Sequence, residues 1–346
     1  VEIRKSFLAK SKLILLFMLL VLIIPLTIGF IKYGGKIDFS TVQNFSTIFI
    51  SIILEAMPFI LLGAFVSALI QVFISEQLIE KIIPKNKFMA FLGASLMGVI
   101  FPVCECAIVP ITRRLMKKGV PVGIAVTFML AVPIVNPITL LSTYYAFYDK
   151  PSIVFIRGGL GILISIVVGY LVDYVGKGNP MPIKQNSYES DISCYCGCDN
   201  HSGLNYNHSK IRSVLEHTNK ELLSISKYLI FGAFLSAVFQ TTVSKGYISS
   251  IGQHMYYSIF AMMVLAFVLS ICSEADAFIA RTFLGQFTIG SVVAFLILGP
   301  MIDIKNTIML IGNFKLKLVI ELMIYIILIV FFVSCLINTA AIMGVI

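Results

Sequence analysis

The sequence predicts an all-α integral membrane protein of two related, inverted repeats with broken or re-entrant helices and about 7–9 spans. Three observations carry that expectation. Hydrophobic residues make up 58% of the 346 and charged residues only 12%, too little polar cover for a water-facing surface of this size. The apolar residues fall in runs close to the roughly 20 needed to cross hydrocarbon, without the period-2 alternation of a membrane barrel. One segment also returns: Gly63, Ala64, Phe65, Ser67, Ala68 and Gln71 recur in order as Gly232, Ala233, Phe234, Ser236, Ala237 and Gln240.

The runs divide the chain. Leu13–Ile31 follows Arg4, Lys5, Lys10 and Lys12, is long for a signal-peptide core, and reads as a retained signal anchor within region 1–44. Phe45–Ile74, Phe88–Val103, Val120–Phe147 and Ser152–Val175 form a first transmembrane repeat, 45–175. Residues 176–221 read as a polar loop containing cysteine and histidine. Leu222–Val243, Tyr256–Ile271, Thr288–Ile302 and Leu316–Leu336 form the second repeat, 222–346. The likeness extends beyond the glycine segment. Glu105 falls opposite Glu274, Arg113 opposite Arg281, and Pro133-x-x-Asn136 opposite Pro300-x-x-Asp303. Duplicated halves are a common transporter plan, with the site where they meet.

The net charge of +9 does not point to nucleic acid. The basic residues stand at the ends of hydrophobic runs, where they set topology and meet anionic head groups. A basic N-terminus is placed inside. Arg113, Arg114, Lys117 and Lys118 stay inside only if the chain dips in near Cys104–Cys106 and returns. Each half then has three spans and one re-entrant hairpin, which inverts the second half. The 176–221 loop, Lys305, Lys315 and Lys317 fall in the cytoplasm; nine plain spans are the alternative.

The chemistry concentrates in Phe101-Pro-Val-Cys-Glu-Cys-Ala-Ile-Val-Pro110. Pro102 and Pro110 argue against a regular helix and free backbone carbonyls at membrane depth. An intramembrane carboxylate is costly unless paired, so Glu105 is a functional candidate, with a plain ion pair to Arg113 or Arg114 as the simpler alternative. Cys104 and Cys106 flank it; buried cysteines are usually small hydrophobes, but two beside an acid at a helix break suit a thiophilic ligand. The second half offers Cys272, Glu274 and Asp276, and facing repeats would bring these together with Cys104, Glu105 and Cys106. Val132-Pro-Ile-Val-Asn-Pro137 predicts a broken helix at Asn136, repeated at Asp303. Glu55 is a further candidate buried acid. In the loop, Cys194, Cys196, Cys198 and His201 suit a thiophilic metal, though not at zinc-knuckle spacing. The small residues of the repeated segment predict close helix packing.

Phe101-Pro-Val-Cys-Glu-Cys-Ala, Arg113-Arg114, Gly119-Val-Pro121, Val132-Pro-Ile-Val-Asn-Pro-Ile138, Ser273-Glu-Ala-Asp276 and Gly299-Pro300 together resemble the ArsP-type predicted permeases, over roughly Phe45 to Leu336. Characterised members of that family export trivalent organoarsenicals. The resemblance implies a secondary permease exporting a small thiophilic solute, with Cys104, Glu105 and Cys106 at the signature position. Asn136, Cys272, Glu274, Asp276 and Asp303 are the other expected substrate-binding residues. The loop cysteines lie outside the family pattern and suggest a metal or a partner protein on 176–221. No catalytic residue and no other cofactor is expected, and the setting is a multi-pass bacterial cytoplasmic membrane. No P-loop sequence is present to hydrolyse ATP. A permease for a metal ion or sulfur compound, and a membrane thiol oxidoreductase, are the alternatives.

Overall fold

The computed structural model describes residues 39–73, 84, 86–100, 103–176, 183, 210–242 and 255–342. Their regular structure is helical, with only isolated bridges at Ile183–Phe314 and Leu284–Phe287. Six helices come first: α1 (Phe39–Phe73), α2 (Lys87–Ile100), α3 (Glu105–Lys117), α4 (Val122–Val135), α5 (Pro137–Ala146) and α6 (Ser152–Gly176). Six more follow: α7 (Lys210–Thr242), α8 (Met255–Leu269), α9 (Asp276–Phe283), α10 (Ile289–Met301), α11 (Ile304–Asn313) and α12 (Leu316–Ile342). The second six match the first in order and kind. Each set has a long helix, a short apolar one, a short one opening on an acid, a broken pair, and a long closing helix. The signal-anchor segment 13–31 and the loop residues Cys194, Cys196, Cys198 and His201 lie outside the described residues.

Among the described residues, six stretches are long and apolar enough to cross a membrane: Val42–Phe73, Val122–Ala146, Ser152–Gly176, Val214–Thr241, Ile289–Asn313 and Leu316–Ala341. Two of these are the broken pairs α4–α5 and α10–α11, and they sit innermost. Their apolar stretches are 72% and 94% buried, against 28–39% for the other four. The outer helices expose large apolar side chains such as Leu54, Phe155, Phe231, Leu328 and Phe332, as contact with lipid requires. α2 has 14 residues and α8 has 15. At a rise of about 1.5 Å per residue neither covers a hydrocarbon core of about 30 Å.

Several sequence expectations need correction. Pro110 does not break its helix; α3 runs through it to Lys117. A proline inside a helix removes one donor, so the carbonyl four residues back, that of Cys106, loses its intrahelical partner. Pro58, Pro133 and Pro300 are likewise carried inside α1, α4 and α10. The break expected near Asn136 is present, because Pro137 opens α5 and the Asn136 side chain accepts from Ile138 N at 3.0 Å. Asp303 caps α11 in the same way, accepting from Asn306 N at 2.6 Å. α7 starts at Lys210, inside the stretch read as loop. Val214, His217, Thr218 and Glu221 form a buried stripe at helical spacing there, which polar composition hid. Glu55 is not buried: it lies on the exposed side of α1, opposite Ala56, Ile60, Ala64 and Ala68.

Small residues set the close contacts. A Cβ on Gly63 would come within 2.8 Å of the Ala107 Cα, so α1 lies directly on α3. The matching Gly232 brings α7 onto α11, 3.0 Å from the Lys305 Cα. Gly123 and Gly169 face each other where α4 crosses α6; a Cβ on either would meet the other's carbonyl at 2.6 Å. Gly169→Val is therefore expected to destabilise the protein by about 1–3 kcal/mol through overpacking. Gly93→Ala, with nothing within 4 Å of the added carbon, leaves stability unchanged. Thermal unfolding of the two variants in detergent checks the contrast.

Candidate functional site

The two sets of helices interlock. α3 meets α11, α5 meets α9, and α4 meets α10. Chain breaks line this meeting place, and two of them, before α3 and before α9, present a cysteine carbonyl that opens a helical turn. Cys104 O accepts from Ala107 N and Ile108 N at 3.2 Å; Cys272 O accepts from Ala275 N and Asp276 N at 3.0 Å. This puts Cys272 in register with Cys104, whereas the sequence alignment had matched Glu105 with Glu274. Ser270, just before Cys272, holds a φ of 47°, a strained value for a residue other than glycine. Its backbone is held in place by neighbours. Ser270 Oγ accepts from Ile304 N at 3.2 Å, and Gln240 Nε2 donates to Leu269 O at 2.6 Å.

The thiols of Cys104, Cys106 and Cys272 converge. All three are free and buried, and the Cys104 thiol lies in hydrogen-bonding range of the other two. Glu105 lies with them, fully enclosed. Its partner is neither Arg113 nor Arg114. The Lys305 ammonium stands 3.4 Å from Glu105 Oε1 and 3.6 Å from Asp303 Oδ2. Among the described residues no three His, Cys, Asp or Glu side chains are placed to hold a metal ion, so the cluster is not a preformed metal cage.

A second buried pair sits at the α5–α9 junction. Arg157, on α6, donates from Nη2 to Asp276 Oδ2 at 2.7 Å and to Ser273 O at 3.1 Å, and from Nη1 to Thr143 Oγ1 at 2.7 Å. Thr139 reaches Ser273 at 3.4 Å. Of the expected site residues, Cys104, Glu105, Cys106, Cys272 and Asp303 gather around the thiols and Lys305. Asp276 is in the adjoining pair, and Glu274 is half-buried at the margin. Asn136 caps α5 through its Oδ1, while its Nδ2 is buried with no hydrogen-bond partner among the described residues.

Lys305 and Arg157 were missed from sequence. Lys305 had been assigned to the cytoplasmic flank, because the span was read as ending at Ile302. Arg157 sits inside an otherwise apolar run, which is the sequence signal of an intramembrane charge.

The two ends of the interface differ. On the α3–α11 side, Glu221 Oε2 accepts from Ser67 Oγ at 2.9 Å and from Arg114 Nε and Nη2 at 3.2 Å, tying α1, α3 and α7 together. Arg113 reaches Asn313 at 3.5 Å beside them. At the α5–α9 end, Arg281 pairs with Asp149 in half-exposed surroundings and lies over the Phe147 ring at 5.8 Å. The Arg281 guanidinium beside Asp149 holds its carboxyl below the usual carboxylate range. That contact therefore persists as pH falls, until the lowered value is reached. Ser236, the counterpart of Ser67, is buried with no hydrogen-bond partner among the described residues.

These features define a polytopic helical membrane protein with an enclosed thiol-and-charge site between two sets of helices. The chain belongs to the predicted permease family ArsP_1, whose model matches residues 41–339. It is a multi-pass membrane permease rather than an enzyme. It is 46% identical over 291 residues to the UPF0718 protein YcgR of Bacillus subtilis, covering 84% of this chain and 96% of that one. It is 40% identical over 282 residues to a putative two-component membrane permease complex subunit of Streptococcus mutans, covering 82% and 91%. A weaker likeness, 26% over 125 residues, links it to the UPF0718 protein MJ0584 of Methanocaldococcus jannaschii, covering 36% of this chain and 32% of that one. No solved structure matches it significantly.

Removing Arg157 would leave Asp276 unpaired in the interior, forced either to stay charged or to take up a proton. Arg157→Ala is expected to cost about 3–5 kcal/mol. Adding Asp276→Asn should recover part of that loss, because the stranded carboxyl goes. Thermal unfolding in detergent across the double-mutant cycle measures the recovery; strictly additive losses would contradict it.

Proposed function

We propose that the protein is a secondary permease that exports a small thiophilic solute, trivalent organoarsenicals first among them, through the Cys104–Cys106–Cys272 cluster. The observation that carries this reading is the convergence of three free, buried thiols from two separate chain breaks. A trivalent arsenical suits such a site. Two S–H groups replace the two hydroxyls on arsenic, forming two As–S bonds and releasing two waters. The bonds exchange readily with a third thiol, so the solute can be passed on rather than trapped. Glu105 and Lys305 beside the thiols provide the proton donor and acceptor that such exchange needs.

The uneven ends of the interface support alternating access. The two sets of helices would stand in inverted orientation, with the α3–α11 end sealed by α1, α7 and the Ser67–Glu221–Arg114 clasp. The α5–α9 end is held by the more exposed Asp149–Arg281 pair. By likeness to the Streptococcus mutans protein, whose name makes it a subunit of a two-component complex, we place a partner subunit on the 176–221 stretch.

Uptake of methylarsenite into inside-out vesicles tests the reading. Vesicles carrying the wild type should accumulate it. Cys104→Ser, Cys106→Ser and Cys272→Ser should each lose accumulation, while Cys335→Ser should not. Failure of the wild type to accumulate any trivalent arsenical would overturn the assignment.

A further inference from the structure

We propose that Glu105, Asp303 and Lys305 form a proton-binding site whose proton is coupled to movement of the solute on the neighbouring thiols. The proposal starts from charge counting. Arg157 and Asp276 neutralise each other one to one. Lys305 has two carboxylates, Glu105 and Asp303, on one ammonium. All three side chains are enclosed, with Lys305 2% exposed and both acids 0%. An uncompensated charge is strongly disfavoured in a dry interior, so the trio is stable when one carboxyl holds a proton. Two acids sharing one cation bind that proton as a unit.

The second observation is the oxygens left without a hydrogen bond. Glu105 Oε2 is buried with no hydrogen-bond partner among the described residues, and Asp303 Oδ2, buried likewise, is met by the Lys305 ammonium at 3.6 Å, longer than a hydrogen bond. Each is a place for a proton. The groups facing the trio are known from each element around it. α3 and the turn before it bring Cys104 and Cys106, and the break before α9 brings Cys272. Asp276 with its Arg157 adjoins, and Glu274 stands at the margin. None of these supplies a further cation to the trio. Lys305 also lies beside the Cys106 and Cys272 thiols. The same ammonium thus senses the charge of the acids and the occupancy of the thiols, which is what coupling requires.

The proton site stands on the charge count. Only its coupling rests on the solute reading above. The first arm of the test needs no solute. Infrared difference spectra of the full-length protein in lipid, recorded between acid and alkaline buffers, should show a buried carboxylic-acid C=O band that is lost as pH rises. Glu105→Gln and Asp303→Asn should each remove the band. The conservative Glu105→Asp should shift it, and Glu321→Gln, away from the site, should leave it unchanged. A wild type with no such band, as expected if a sodium ion balances the charge instead, would overturn the proposal. So would a band that survives both amide variants.

The second arm uses methylarsenite uptake into inside-out vesicles. Collapsing the proton gradient should abolish accumulation by the wild type. Accumulation untouched by the collapse would overturn the coupling. If no vesicle accumulates arsenical at all, the solute reading fails, while the infrared band still decides the proton site.

Discussion

The structure depends on keeping charged side chains in a membrane interior without leaving any of them alone. Around the thiols and the adjoining pair, where the two sets of helices meet, stand Glu105, Asp276, Asp303, Arg157 and Lys305. Two of the pairings cross between elements, and Asp303 meets Lys305 from the cap of the same helix. Lys305 on α11 reaches Glu105 on α3, and Arg157 on α6 reaches Asp276 on α9. Separated, these groups would be prohibitive in hydrocarbon. The breaks in α4–α5 and α10–α11 follow from the same need. A continuous helix spends its backbone on itself, whereas a break frees donors and carbonyls to face the charges. Asn136 and Asp303 cap what the breaks leave open.

Function then grows from asymmetry laid over likeness. The two sets of helices agree element by element, yet Gly63 rests on α3 and its counterpart Gly232 rests on α11. Both long helices therefore press on one end of the interface. The same end carries the Glu221 clasp, and the other carries the half-exposed Asp149–Arg281 pair. In the reading proposed above, a permease that moves a solute past the thiols uses such an imbalance reversibly.

Much of this was legible in the residues. The spans, the repeated glycine segment, the Asn136 and Asp303 breaks, and the gathering of Cys104, Glu105, Cys106 and Cys272 follow from composition, proline positions and repetition. What was not legible depended on partners distant in the chain. Glu105 had two arginines nearby in sequence and took Lys305 instead, 200 residues away. Pro110 looked like a helix breaker, yet the rest of α3 carries the helix through it. Glu55 looked like a buried acid because its helix is apolar, but which face of a helix is covered is decided by its neighbours. Residues 210–221 looked like loop because charge dominates the composition, while the stripe that packs is Val214, His217, Thr218 and Glu221.

The central claim is that a thiophilic solute binds where the two sets of helices meet. The most direct measurement is intact mass spectrometry of the full-length protein treated with phenylarsine oxide. A background with Cys194, Cys196, Cys198 and Cys335 replaced by serine leaves only Cys104, Cys106 and Cys272 to react. One arsenical per chain is predicted, lost when Cys104→Ser and Cys272→Ser are added together. An unreactive protein, or an adduct that persists after all three thiols are gone, would contradict the account.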